Sequence, residues 1–95
     1  MEKIYILHRR RYDDHDNSSR ILAASRSYAA MRRKMVEDIR AVIPDPDSDR
    51  WNTRLTGPLR ADDLTQRFVC YTRVRGTDGG DSYMWRIEEL ELMPE

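Results

Sequence analysis

Arginine supplies all but two of the 17 basic side chains of this chain, the exceptions being Lys3 and Lys34. A guanidinium group is a planar fork of donors that binds carboxylates and phosphates bidentately and stacks on aromatic rings. The arginines cluster after the first apolar run and within the third, at Arg9, Arg10 and Arg11 and at Arg73 and Arg75. These positions predict a surface that binds an acidic or phosphate-bearing partner.

Two further features point to contacts with a partner. Trp51 lies in a polar, aperiodic segment, where a tryptophan either pins the segment to the core or anchors a partner. The acids of the C-terminal half could face a basic groove on another molecule. Arginine together with tyrosine and tryptophan is the composition of protein-interface hot spots. The predicted partner-binding residues are therefore Trp51, Arg9, Arg10, Arg11, Arg73, Arg75, Asp78, Asp81, Glu88, Glu89 and Glu91.

One aspartate pattern begins like a calcium loop and then fails. Asp45, Asp47 and Asp49 stand at the first, third and fifth positions of such a loop. Arg50 occupies the position that requires glycine, and Thr56 the position that requires a bidentate glutamate. We therefore expect these aspartates to solvate a turn, and we predict neither a metal nor a cofactor.

The chain shows no recognised catalytic motif. His8 and His15 are its only histidines, and Cys70 lies in an apolar run that predicts a packed thiol. The residues 13–16, Asp-Asp-His-Asp, read as a solvated loop, because neighbouring side chains in an extended segment diverge. We therefore expect a protein that is not an enzyme and has no catalytic residues.

Charge excludes two functions for the molecule as a whole. The 17 basic and 17 acidic residues cancel, although residues 1–43 hold ten basic and six acidic side chains and residues 44–95 hold seven and eleven. A protein that only grips phosphates needs a positive excess, and a DNA mimic needs a negative one. A single cysteine rules out an intrachain disulfide, no apolar run is long enough for a membrane, and no secretory signal is evident. We expect a cytoplasmic protein without membrane contact.

Periodicity predicts two strands and a helix in the first half. Residues 3–10 form an apolar strand with both faces partly apolar, residues 13–19 a polar loop, and residues 20–25 the second strand of a hairpin. Ser27 is a favoured N-cap, and Pro44 predicts that the helix ends by Ile43. Helical spacing places one apolar stripe against the sheet: Tyr28, Met31, Met35, Ile39 and Val42.

The second half is less regular. Residues 47–55 could form a short helix, and residues 44–65 otherwise predict an irregular connection. Residues 66–75 and 82–93 read as a hairpin around the turn at residues 77–81. We expect the last strand at a sheet edge, where its glutamates disfavour self-pairing.

The predicted fold is α+β: a single domain over residues 1–95, with a small antiparallel sheet of about four strands and one amphipathic helix on one face. Its order is β-β-α, an irregular connection, then β-β. The alternative is a ferredoxin-like order with a second helix in residues 47–65.

Three segments, KIYILHRR, AASRSYAAMRRKM and MWRIEELEL, resemble a loose family of short bacterial and phage proteins. The resemblance covers about half of the chain and its motifs are structural, so no functional residue is carried over. It implies a compact α+β fold and an origin in phage or mobile elements. Small proteins of that origin are often inhibitors of host defence enzymes, anti-CRISPR proteins among them.

The first functional hypothesis is a small protein that binds and blocks a larger host protein, such as a nucleic-acid-targeting defence complex. We expect it to be a monomer or weak dimer, since a large interface would compete with the core for apolar residues. The second is a nucleic-acid-binding module that uses the same arginines with Tyr5, Tyr71 and Tyr83. The third is a small nuclease-like toxin using His8 or His15.

Overall fold

The computed structural model describes residues 2–12, 17–46, 48, 51–54, 66–73 and 82–93. Within these ranges lie five strands and one helix. In chain order they are β1 (Lys3–Tyr12), β2 (Asn17–Ser25), α1 (Tyr28–Val42), β3 (Trp51–Arg54), β4 (Phe68–Arg73) and β5 (Ser82–Glu91).

The strands form one antiparallel sheet in the order β2-β1-β5-β4-β3. The predicted α+β fold, with one helix and an antiparallel sheet, is confirmed. The sheet has a fifth strand because β3 pairs with β4 inside the segment that was predicted to be irregular. A helix over residues 47–55 is therefore wrong for residues 51–54. The ferredoxin-like order fails because residues 17–25 form a strand that pairs with β1 as a hairpin. Trp51 and Thr53 are residue types that favour strands, and the edge of β4 supplies the backbone groups with which their strand pairs.

The predicted edge position of the last strand is also wrong. β5 pairs with β1 along its whole length and with β4 on its other side, so it lies in the middle of the sheet. The edges are β2 and β3. Local sequence does not report this, because the pairing joins residues about eighty positions apart, such as Leu7 and Ile87.

The helix follows its prediction closely. The side chain of Ser27 accepts a hydrogen bond from the Ala30 N–H at 3.1 Å, which satisfies one orphan donor of the first turn. α1 ends at Val42, and Ile43 follows as its C-cap. The predicted stripe is buried or packed on the core, while the polar face, at Arg33, Glu37 and Arg40, is exposed.

One core fills the space between α1 and the sheet. The helix contacts β1, β2 and β5, so it covers one face and leaves the other without a described element on it. Each fully buried Leu, Ile or Met side chain contributes about 1.5–3 kcal/mol. The buried cluster comprises Leu7, Met31, Met35, Ile39, Ile43, Val69, Tyr71, Trp85 and Ile87.

A β-bulge in the first hairpin determines which β2 side chains face the helix. Leu7 pairs with Ala23, but the next residue, His8, pairs with Ile21, so Leu22 is the extra residue. Leu22 and Ala23 both pack against the core, as expected of a bulge. Strand β2 also begins at Asn17, earlier than the predicted residue 20, because its polar start pairs with the end of β1.

Candidate functional site

Register assigns the arginines of β1 to opposite faces of the sheet. Cross-strand partners share a face, and successive residues alternate. Arg9 lies opposite Arg20 on one side and the buried Trp85 on the other, and Arg11 lies between Ser18 and Tyr83. These side chains are on the helix-covered face. Arg10 is on the other face, so the predicted arginine run is divided between the two.

On the helix-covered face, a cavity of about 410 Å³ opens where the β1–β2 hairpin meets the C-terminal end of α1. We call it the arginine cleft. Three guanidinium groups and three hydroxyl-bearing residues line it, and the helix contributes one apolar residue. Its lining is Arg9, Arg11, Ser18, Ser19, Arg20, Val42 and Tyr83. Among these described residues there is no acid.

One wall of the cleft is held rigidly by a carboxylate. Asp38 of α1 accepts from Arg9 Nη1 at 3.0 Å and 3.1 Å through its two oxygens, and from the indole Nε1 of Trp85 at 2.7 Å. Trp85 is fully buried, while Arg9 and Asp38 keep about a fifth of their side chains exposed. The network ties helix to sheet and fixes the direction of Arg9.

The aromatic side chains near the cleft pack on one another. Tyr83 stacks on Trp85 with centroids 5.9 Å apart, and the Arg11 guanidinium lies 5.8 Å from the Tyr83 centroid. Trp51 packs edge-on against Tyr71 and Tyr83 at 6.5 Å and 6.0 Å. Trp51 therefore attaches β3 to the core, which is the first of the two roles considered for it; a role in partner binding stays a prediction.

The same packing bears on nucleic-acid recognition. Tyr71 is fully buried, and Tyr5 packs against Tyr28 with centroids 5.4 Å apart. A nucleobase stacks only on a ring face that it can reach. The three tyrosines expected to interleave with arginine, Tyr5, Tyr71 and Tyr83, thus have ring contacts within the protein instead.

The opposite face carries a polar cluster in its centre. His8 Nε2 lies 3.1 Å from Glu88 Oε2, and Arg86 Nη2 donates to the same oxygen at 3.2 Å. Arg10 donates through Nε to Asn17 at 3.2 Å. A small cavity of about 110 Å³ lies here, lined by His8, Arg10, Ser19, Met84 and Arg86.

Apolar side chains surround this cluster. Ile21 is 64% exposed and Leu90 is 42% exposed. Their face, which no described element covers, is called the open face. By register, its apolar members are Ile4, Ile6, Ile21, Phe68, Met84 and Leu90, all of them partly or fully exposed.

The predicted acidic surface is not assembled by the described residues. Glu88 belongs to the open face, whereas Glu89 lies on the helix side, within 3.8 Å of both Lys3 and Arg67. Glu91 is exposed and opposite Lys3. Asp78, Asp81 and Arg75, and the side chain of Arg73, lie outside the described residues.

The candidate metal-binding and catalytic residues are described only in part. Among the described residues, no group of three or more His, Cys, Asp or Glu side chains could hold a metal ion. His8 is oriented by Glu88, but His15 and the rest of residues 13–16 lie outside the described ranges, as do Asp47 and Asp49. Cys70 is half-buried in β4. The described helix is too short and too polar to cross a membrane.

Sequence reasoning missed three contributors to the helix side. Ser18 was assigned to a loop, and Arg20 only to a strand start. Asp38 was not singled out either. It lies three residues after Met35 and directly before Ile39, which places it at the border of the apolar stripe of the helix. Apart from these three, Arg32 of α1 is almost fully buried and donates to Gln66 at 2.9 Å.

Comparisons with protein-family models, with curated proteins and with solved structures gave no match.

Proposed function

We propose that this chain is a binding protein that acts by occupying a surface of a larger host protein through its open face. The observation that carries the proposal is the combination of exposed Ile21 and Leu90 with a central polar cluster on a sheet face that the helix does not cover. Apolar area around a few fixed polar groups is the composition of a protein interface.

Charge indicates what the partner presents. Arg10 and Arg86 lie on the open face near one glutamate, Glu88, so cationic groups are in excess there among the described residues. Buried interfacial charges need partners. The matching surface is therefore apolar with at least one carboxylate placed to meet Arg10. The resemblance to phage proteins favours a nucleic-acid-targeting defence complex as the host protein.

The test compares two substitutions that each add one carboxylate at an exposed position. Ile21→Glu places it on the open face, and Ala29→Glu places it on the exposed side of α1. Both variants should fold. Wild type and Ala29→Glu should retain the same stoichiometric protein from a host lysate, and should form a complex of fixed ratio with that protein once it is purified.

Ile21→Glu should lose this complex, because a carboxylate would be desolvated in the apolar part of the interface. Equal retention of the partner by Ile21→Glu and wild type would contradict the use of the open face. A failure to recover any stoichiometric partner at low and moderate salt would contradict the function itself.

Nucleic-acid binding is the second candidate, and the arginine cleft is the observation that favours it. Affinity that depends on phosphate contacts falls steeply as salt rises. Gel shifts with single- and double-stranded DNA and RNA at low salt would reject this candidate if no complex formed.

A further inference from the structure

The cleft places like charges directly opposite each other. Arg9 and Arg20 are cross-strand partners, and Arg11 follows two residues along β1 on the same face. The Cβ atom of Arg9 therefore lies about 5–7 Å from those of Arg20 and Arg11. Like charges at that separation destabilise a sheet. Asp38 compensates Arg9. Arg20 is exposed and forms no ion pair with any residue that the structure describes.

The bulge at Leu22 creates this arrangement. Without the extra residue, Ile21 would lie opposite Arg9 and Ser19 opposite Arg11. With it, Ile21 turns to the open face and is 64% exposed, while Arg20 and Ser18 turn toward α1. A bulge redirects side chains and is over-represented next to functional sites. The register thus places an arginine at the cleft where an isoleucine would otherwise have packed.

We propose that the arginine cleft binds a phosphoryl group, with Arg20 as its principal donor, Arg11 beside it and Arg9 held in place by Asp38. Three guanidinium forks match the three terminal oxygens of a phosphate better than the two of a carboxylate. The hydroxyl of Ser18 lies in the row of Arg11 and adds a further donor. A volume of about 410 Å³ accommodates a diphosphate or a phosphorylated metabolite.

The packing of the cleft specifies which part of a ligand is recognised. Tyr83 is covered by Trp85 on one side and approached by Arg11, so its ring is not a platform for a base. Val42 brings the C-terminal end of α1, with its partial negative charge, to the other wall. The anion therefore contacts the sheet side of the cleft, and the site reads phosphate without preference for a base.

The test uses inorganic pyrophosphate as the probe, titrated into the full chain at low salt and followed by calorimetry and by amide chemical shifts. Saturable binding with shifts concentrated at residues 9–11 and 18–20 is expected. Arg20→Gln should weaken the affinity about tenfold, the usual loss for one charge-assisted phosphate contact. Because Arg20 is exposed, its substitution should leave thermal unfolding nearly unchanged.

Arg10→Gln is the matched control. It removes the same charge from β1, between Arg9 and Arg11, but on the opposite face of the sheet. It should change the affinity for pyrophosphate less than twofold. Two outcomes would overturn the proposal: no saturable binding of pyrophosphate up to about 10 mM, or equal losses for Arg20→Gln and Arg10→Gln, which would indicate only a general charge effect.

A second arm identifies the source of the phosphate. Ribose 5-phosphate and a single-stranded oligonucleotide without a terminal phosphate are titrated in parallel. Tighter binding of the small phosphate, lost in Arg20→Gln, supports a metabolite. Tighter binding of the oligonucleotide would contradict a site for a terminal phosphoryl group, because a backbone phosphodiester has only two free oxygens, and would support the nucleic-acid-binding candidate instead. Phosphate binding by the cleft does not depend on the protein partner, because the cleft and the open face lie on opposite faces of the sheet. Ile21→Glu changes only the open face, so the two proposals can fail separately.

Discussion

Asp38 joins the helix to the sheet, and its removal provides the sharpest test of the fold. Asp38→Ala would leave the indole N–H of a fully buried Trp85 without its 2.7 Å acceptor and Arg9 without its carboxylate. An unsatisfied buried donor costs about 1–3 kcal/mol, and a lost hydrogen bond to a charged group about 1.5–3 kcal/mol. Because Arg9 keeps about a fifth of its side chain in water, the charge is partly resolvated. We therefore expect a loss of about 3 kcal/mol in the free energy of unfolding.

Asp38→Asn separates the two contributions. The amide oxygen still accepts from Trp85, but the charge that compensates Arg9 is gone. The expected loss is about 1.5 kcal/mol, half of that for alanine. Glu37→Ala is the matched control, since it removes a neighbouring carboxylate from the exposed side of the same helix, and should change stability by less than about 0.5 kcal/mol.

Urea unfolding followed by far-UV circular dichroism measures these differences in the free energy of unfolding. Circular dichroism is preferred to tryptophan fluorescence because the substitutions alter the contact of Trp85 itself. In a domain of this size, 3 kcal/mol corresponds to a fall of about 12–24 °C in Tm. If Asp38→Ala unfolded at the same urea concentration as Glu37→Ala, the network would not stabilise the fold and the fixed direction of Arg9 in the cleft would lose its basis.

Two further predictions test the helix cap and the assignment of the faces. Ser27→Ala should lower the free energy of unfolding by about 1 kcal/mol, because the Ala30 N–H loses its acceptor, whereas Ser27→Gly should cost only a few tenths; chemical denaturation of both variants checks the ranking, and a reversed order would refute the capping role. Leu7→Ala should cost about 2–5 kcal/mol through a core cavity, while Ile21→Ala on the open face should cost less than about 0.5 kcal/mol; equal losses in denaturation would show that the assigned faces are wrong.

Several elements could be predicted from local sequence because each depends on contacts within a few residues. The stripe at Met31, Met35 and Ile39 follows the helical period, and Ser27 supplies its own cap, so α1 was predicted to within a residue at each end. The first strand has apolar residues on both faces, a pattern that suits the interior of a sheet, and it lies between β2 and β5.

The position of β5 and the existence of β3 could not be predicted in the same way. The glutamates of β5 suggested an edge, but Glu88 accepts from Arg86 and lies 3.1 Å from His8 Nε2, and Glu89 lies within 3.8 Å of Lys3 and Arg67. Arg86 belongs to β5 itself, whereas His8 and Lys3 come from β1 and Arg67 precedes β4. Pairing over long sequence separation, not local charge, determined the strand order.

The candidate site shows the same division. The sequence by itself determined that the chain carries many arginines and that Arg9, Arg10 and Arg11 follow the first apolar run. The extension of β1 to Tyr12 then places Arg9 and Arg11 on one face and Arg10 on the other, because side chains alternate along a strand. Only the tertiary structure decided that Arg20 and Ser18 join them. A strand repeats every two residues, so the one extra residue at Leu22 exchanges the faces of everything before it in β2. That shift depends on how β2 packs beneath α1 and against β1, which local sequence does not specify.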